Sequence, residues 1–214
     1  SPEEKRAPTP TPSAARTPRR AGSEPADGIW LRREFVIPGP CAHWYTLHMA
    51  ITLPQSRSCF VCGTENPLGL KLEFSAEPGC VRARFEPRRE HAGFQNTVHG
   101  GLTSTVLDET MVWACGAATS RFTYCAELTV RFLKPVRPGT AYELIGRLKE
   151  NRRNRLLLAE AELREPSGTL MASGSGKYMP IDERAVGPML SDFPSDPRAA
   201  FARINGPKPP DATV

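Results

Sequence analysis

The stretch Asn96-Thr-Val-His99-Gly100-Gly101-Leu-Thr-Ser-Thr-Val-Leu-Asp108-Glu109-Thr-Met111 decides the reading of this 214-residue chain. It sets a His-Gly-Gly turn ahead of an apolar segment and then drives two adjacent carboxylates into the middle of that segment. Residues 101–118 carry no other charge. A helix that is apolar or small on nearly every face is a buried helix, so the pattern predicts a central helix over 101–118. A carboxylate inside such a helix is costly unless it is paired, hydrogen-bonded or given catalytic work. Neighbouring residues project about 100° apart on a helix, so Asp108 and Glu109 face different surroundings.

Around this helix the chain reads as strands. Leu70–Ser75 and Cys80–Phe85 alternate apolar and polar residues, with Arg82 and Arg84 on the wet side. After the helix, Glu127–Leu133 puts Leu128, Val130 and Phe132 on one face. Segments 141–149, 155–163 and 169–179 supply three further strands, joined by the hairpin-like connections Asn151–Asn154 and Pro166–Gly168. Antiparallel strands with one embedded helix make an α+β fold.

Four blocks in order carry a family resemblance. They are Cys59-Phe-Val-Cys62-Gly-Thr-Glu-Asn66-Pro67-Leu-Gly69, His99-Gly-Gly with Leu107-Asp108-Glu109, Leu128-Thr-Val-Arg-Phe132-Leu-Lys-Pro135, and Gly174-Ser-Gly-Lys-Tyr178. From Cys59 to Ile181 the chain resembles hotdog-fold acyl-CoA thioesterases of the PaaI-like group, within the 4-hydroxybenzoyl-CoA thioesterase superfamily. The resemblance implies an antiparallel sheet wrapped around one long helix, a homodimer with its site at the interface, and no cofactor. Two related readings keep the fold and change the function: a non-catalytic acyl-CoA sensor, and a dehydratase or hydratase.

Composition fixes the organisation. Twenty-two prolines and a mean hydropathy of −0.39 point to unpacked ends. Residues 1–48 are expected to be a disordered or non-native extension ahead of Met49, residues 49–182 the hotdog domain, and residues 183–214 a tail with a short helix near 197–204. No run reaches the length of a membrane span and no apolar leader opens the chain, so a cytoplasmic location is expected. The net charge of +5 lacks a basic stripe interleaved with aromatics, so no nucleic-acid partner is expected. Cys115 and Cys125 read as small core residues. Cys59-x-x-Cys62 could begin a metal site, but a structural site takes four ligands and no second pair follows. Cys80 and His91 stand at irregular spacing, and the expectation is no metal.

Thioester hydrolysis needs an activated nucleophile and donors for a developing oxyanion. Gly100 and Gly101, at the start of a helix, offer backbone N–H groups to an approaching carbonyl. Asp108 is the leading general base or nucleophile, and Glu109 reads mainly as a structural acid. His99 either orients substrate or packs the helix entrance, and Asn96 competes with Gln95 as a substrate-orienting amide. Asp108 lies about 10.5 Å along the helix from Gly101, too far for both to act on one carbonyl carbon. The two must then come from different protomers, in a homodimer or in a tetramer of paired dimers. Arg152, Arg153 and Arg155, with Lys134 and Arg137 behind them, are the candidates for the phosphates of coenzyme A.

Overall fold

The computed structural model describes residues 50–205, so the expectation for residues 1–48 lies outside the described residues. Seven strands form one antiparallel sheet: β1 (Ile51–Thr52), β2 (Phe74–Glu77), β3 (Cys80–Phe85), β6 (Thr123–Phe132), β7 (Tyr142–Arg152), β8 (Leu156–Arg164) and β9 (Leu170–Pro180). Their order across the sheet is β1-β2-β3-β7-β8-β9-β6. Two short strands, β4 (Ala92–Phe94) and β5 (Thr97–Val98), pair with each other just before the long helix α1 (Gly100–Thr119). That helix lies across strands β3, β6, β7, β8 and β9. The architecture is a hotdog fold: one central helix held against the concave face of an antiparallel sheet.

The burial pattern explains the arrangement. Val106, Leu107, Met111, Ala114 and Cys115 of α1 are buried, against Leu144, Leu157, Ala161, Leu163 and Ala172 of the sheet. Burying such side chains contributes about 1.5–3 kcal/mol each for the larger ones, enough to hold the helix in place without polar anchors. The approach is close. A Cβ at Gly146 of β7 would fall 2.7 Å from Thr110 Cγ2, so only glycine fits under the helix there.

The helix and the strands from β6 onward agree with the sequence reading to within a few residues. The segment 70–75 does not. Its strand begins only at Phe74, because Lys71 adopts a left-handed φ of 60° and its ammonium donates to the carbonyls of Gly63 and Thr64. Leu70 and Leu72 bond instead to Phe60 and Val61, clasping the cysteine-bearing loop onto the core. Beyond residue 182, α2 (Glu183–Leu190) and α3 (Pro197–Asn205) follow. Phe201 of α3 is buried with its ring 6.1 Å from Trp113, and Asn205 donates to the Ala117 carbonyl near the end of α1. No helix among the described residues is long and apolar enough to cross a membrane.

Candidate active site

The helix entrance is built by its own cap. His99 is extended (φ −60°, ψ 132°), and its Nδ1 accepts the Gly101 N–H at 2.9 Å. Leu102 and Thr103 donate to the His99 carbonyl. The Gly100 N–H is therefore the first-turn donor that the cap does not use. Because Nδ1 accepts, the His99 proton sits on Nε2, a tautomer assigned from this bond. A Cβ on Gly101 would come within 2.9 Å of that same Nδ1, whereas one on Gly100 would only touch the Phe132 ring at 3.4 Å. A cleft of about 500 Å³ opens over this mouth, lined by His99, Gly100, Thr103, Phe132, Leu133 and Lys134 among others.

Two turns further along, Asp108 is half-buried and Tyr178 of β9 donates its hydroxyl to Oδ1 at 2.8 Å. Burial, and then the charge of Asp108, drive the Tyr178 hydroxyl far upward, so it stays protonated as a donor. Cys125 of β6 lies on the same side: loss of water first, and then its hydrogen bond to Asp108, push the thiol up to about 11. Cys125 was expected in the core, but its residue is exposed, because β6 is the edge of the sheet and has no strand outside it among the described residues. Cys115 is fully buried, as expected.

Glu109 faces elsewhere. Its carboxylate accepts from Trp113 Nε1 at 3.1 Å and lies 3.8 Å from Cys59 Sγ. Burial, and then the nearby Cys59, push the carboxyl up to about 8. The two neighbouring acids thus belong to separate environments, one beside β6 and β9 and one beside the cysteine loop.

The remaining candidates divide between the two ends of the helix. Asn96 turns the β4–β5 hairpin with a left-handed φ of 57°, and its carbonyl accepts from the Arg137 guanidinium at 3.0 Å. It lines a neighbouring depression with Gln95, Arg88 and Gly139 rather than the mouth cleft. Lys134 lines the mouth cleft itself. Arg152, Arg153 and Arg155 are exposed on the β7–β8 hairpin, where Arg152 pairs with Glu150 and Arg121 ties the turn to the far end of α1 through the Asn154 carbonyl. Sequence reading missed Tyr178 as the partner of Asp108. The only available signal was a lone tyrosine in an alternating strand, which carries no pairing information.

Residues 95–172 match the family model of the thioesterase superfamily. The matched segment runs from the β4–β5 turn through the helix mouth and Asp108 into β9. Among solved structures, a thioesterase superfamily protein is similar with a TM-score of 0.53 at 23% identity, over 57% of this chain and 60% of that one. The chain thus spans about 60% of that structure's length, and the likeness shows the fold. Zebrafish thioesterase superfamily member 2 is similar at 21% identity over 56% of this chain and 87% of that one, with a TM-score of 0.49. The Escherichia coli PaaI protein from the phenylacetic acid degradation operon is similar at 16% identity over 53% and 81%, with a TM-score of 0.48. A search of curated protein sequences finds no match.

Proposed function

We propose that this chain is a cytoplasmic acyl-CoA thioesterase whose active site is divided between two copies. One observation carries the reading. The helix mouth at Gly100 and the acid at Asp108 both border β6, an edge strand of the sheet among the described residues, yet they stand about 12 Å apart along one helix. A single chain cannot bring both to one carbonyl.

The register of the sheet supports a solution. Phe132 of β6 touches the Gly100 position, and Cys125 touches Asp108. Antiparallel pairing of two β6 strands about a twofold axis near Leu128–Thr129 sets Cys125 of one copy opposite Phe132 of the other. Asp108 of the first copy then stands beside Gly100 of the second. A ten-residue edge that no strand covers among the described residues, carrying exposed Tyr124 and Phe132, is the kind of surface that recruits another strand. Two such dimers could pair further into a tetramer.

In this reading Asp108, held by Tyr178, takes a proton from water through its other oxygen. The water oxygen bonds to the thioester carbon, and the oxyanion accepts from the Gly100 N–H and from Gly101 once His99 swings away. Collapse breaks the C–S bond, and the proton passes to the departing coenzyme A sulfur. Lys134 on the mouth cleft is the best-placed cation for a phosphate of coenzyme A. The β7–β8 arginines would serve only from the other copy. The thioesterase superfamily match over 95–172 supports this class of chemistry. The test is release of free thiol from a panel of acyl-CoAs, with Asp108→Asn as the control. Turnover lost in that variant supports the reading, whereas stoichiometric binding without turnover would make the chain an acyl-CoA sensor.

A further inference from the structure

The second acid of the central helix has no task in the reaction above, yet it sits in a built pocket. Cys59 Sγ, Cys62 Sγ and a Glu109 carboxylate oxygen all lie within 4.8 Å of one another. They line a cavity of about 480 Å³ with Trp113, Phe122, Thr123, Asp192 and Phe193. Both cysteines are thiols.

The loop presents its sulfurs in a fixed way. The Val61 N–H donates to Cys59 Sγ at 3.2 Å, and the Gly63 N–H donates to the Cys59 carbonyl at 2.9 Å. A Cβ at Gly63 would strike the Cys59 carbonyl oxygen at 2.2 Å, so the turn closes only around glycine. Ser56 Oγ accepts the Cys59 N–H and also lies 3.8 Å from Cys62 Sγ. The third group is fixed independently by Trp113 Nε1 on Glu109 Oε1. Backbone N–H groups on sulfur and an outer hydrogen bond on a carboxylate are the supports that orient metal ligands.

The spacing of the one measured ligand pair agrees with this chemistry, and all three ligand atoms lie within 4.8 Å of one another. Around a tetrahedral ion with sulfur at about 2.3 Å and oxygen at about 2.1 Å, ligand atoms stand about 3.6–3.8 Å apart. Cys59 Sγ and Glu109 Oε1 are 3.8 Å apart. Two thiolates with one carboxylate suit a borderline-soft cation rather than calcium or magnesium. On the same cavity wall, Thr123 is 6% exposed and its hydroxyl has no hydrogen-bond partner among the described residues.

We propose that Cys59, Cys62 and Glu109 form a binding site for a thiophilic divalent cation of the zinc class, its fourth coordination position directed into the cavity beneath Phe193. The site is distinct from the thioesterase site, because Glu109 projects about 100° around α1 from Asp108 and meets the cysteine loop, whereas Asp108 meets Tyr178. It explains why two carboxylates follow one another in an apolar helix: each has a distinct partner. Binding replaces the thiol and carboxyl protons by metal, with no electron transfer.

The test is titration of the reduced, chelator-treated full-length chain with Co²⁺, which reports thiolate ligation through near-ultraviolet charge-transfer absorption and tetrahedral geometry through strong visible bands. Stoichiometric uptake with both signatures is expected, reversed by Zn²⁺. Cys59→Ser should abolish the charge-transfer signature, and Glu109→Gln should retain it while weakening binding by at least about tenfold. Glu109→Gln is nearly isosteric, so far-ultraviolet circular dichroism alongside it separates ligand loss from unfolding. Cys115→Ser, a buried thiol outside the cluster, should bind as the parent does. Absence of uptake at micromolar metal, or a spectrum unchanged by Cys59→Ser and Glu109→Gln, would overturn the site. So would loss of both thiols to a Cys59–Cys62 disulfide in a chain that takes up no metal when reduced.

Discussion

Replacing Asp108 by Asn keeps the side chain's shape and the hydrogen bond from Tyr178 while removing the proton acceptor. Turnover of acyl-CoA should fall by roughly a hundredfold or more, read as free thiol release at saturating substrate. Retained turnover in Asp108→Asn, with loss in Glu109→Gln, would move the base to the other acid. Gly101→Val forces a side chain against His99 Nδ1 and should cost about 3–4 kcal/mol of transition-state stabilisation if the mouth carries the oxyanion. Single-residue placement was legible where it depended on local pattern, namely the His-Gly-Gly turn at the start of the helix and the two acids facing different surroundings. It was not legible for Tyr178 or for the pocket of Glu109, because those partners are 70 and 50 residues away along the chain. His91 offers a pH test at the same scale. It is buried, stacked on Phe85, and accepts the Arg88 N–H through Nδ1. Burial, and then the Arg88 charge, lower its pKa below the ordinary value. Folding therefore favours the neutral ring, a contribution complete above about pH 6.5 and lost as pH falls through the folded value. His91→Gln should flatten part of the decline in melting temperature between about pH 7 and pH 5.

At the scale of elements, α3 is a structural part of the domain. Phe201 is 1% exposed and packs on Trp113, and a Cβ at Gly116 would meet its ring at 2.9 Å. Phe201→Ala should destabilise by about 3–5 kcal/mol in urea unfolding, with a cavity left between α3 and α1. A loss below 1 kcal/mol would mean that α3 contributes little. The sequence pattern located a short helix near this position but could not show its docking, since two large apolar residues, Phe201 and Ile204, among nine do not specify a partner. The opposite failure occurred at 70–73, where a regular alternation failed to become a strand because Lys71 turns left-handed to serve the cysteine loop. Among the basic elements, the turn after β6 and the β7–β8 hairpin can be separated by kinetics. Lys134→Ala should raise the Michaelis constant for acyl-CoA, more so at low salt where charges are less screened. An Arg152/Arg153/Arg155 triple alanine variant should do so only if the hairpin reaches a neighbouring copy's cleft.

For the molecule as a whole, the sheet order was legible only in part. Hairpin signals ordered β7, β8 and β9, but nothing local indicated that β6 would pair with β9 and lie at the margin. That pairing joins residues 123 and 180, and long-range registers depend on the whole core rather than on any window of sequence. The two-turn spacing between Gly100 and Asp108 has a genetic consequence. If each site takes its acid from one copy and its donors from the other, two inactive variants can repair one another. Asp108→Asn mixed with Gly101→Val would place both lesions in one site of a mixed pair and leave the other site whole. Random reassortment of equal amounts should then restore about a quarter of the parental activity, whereas a site contained within one chain would restore none.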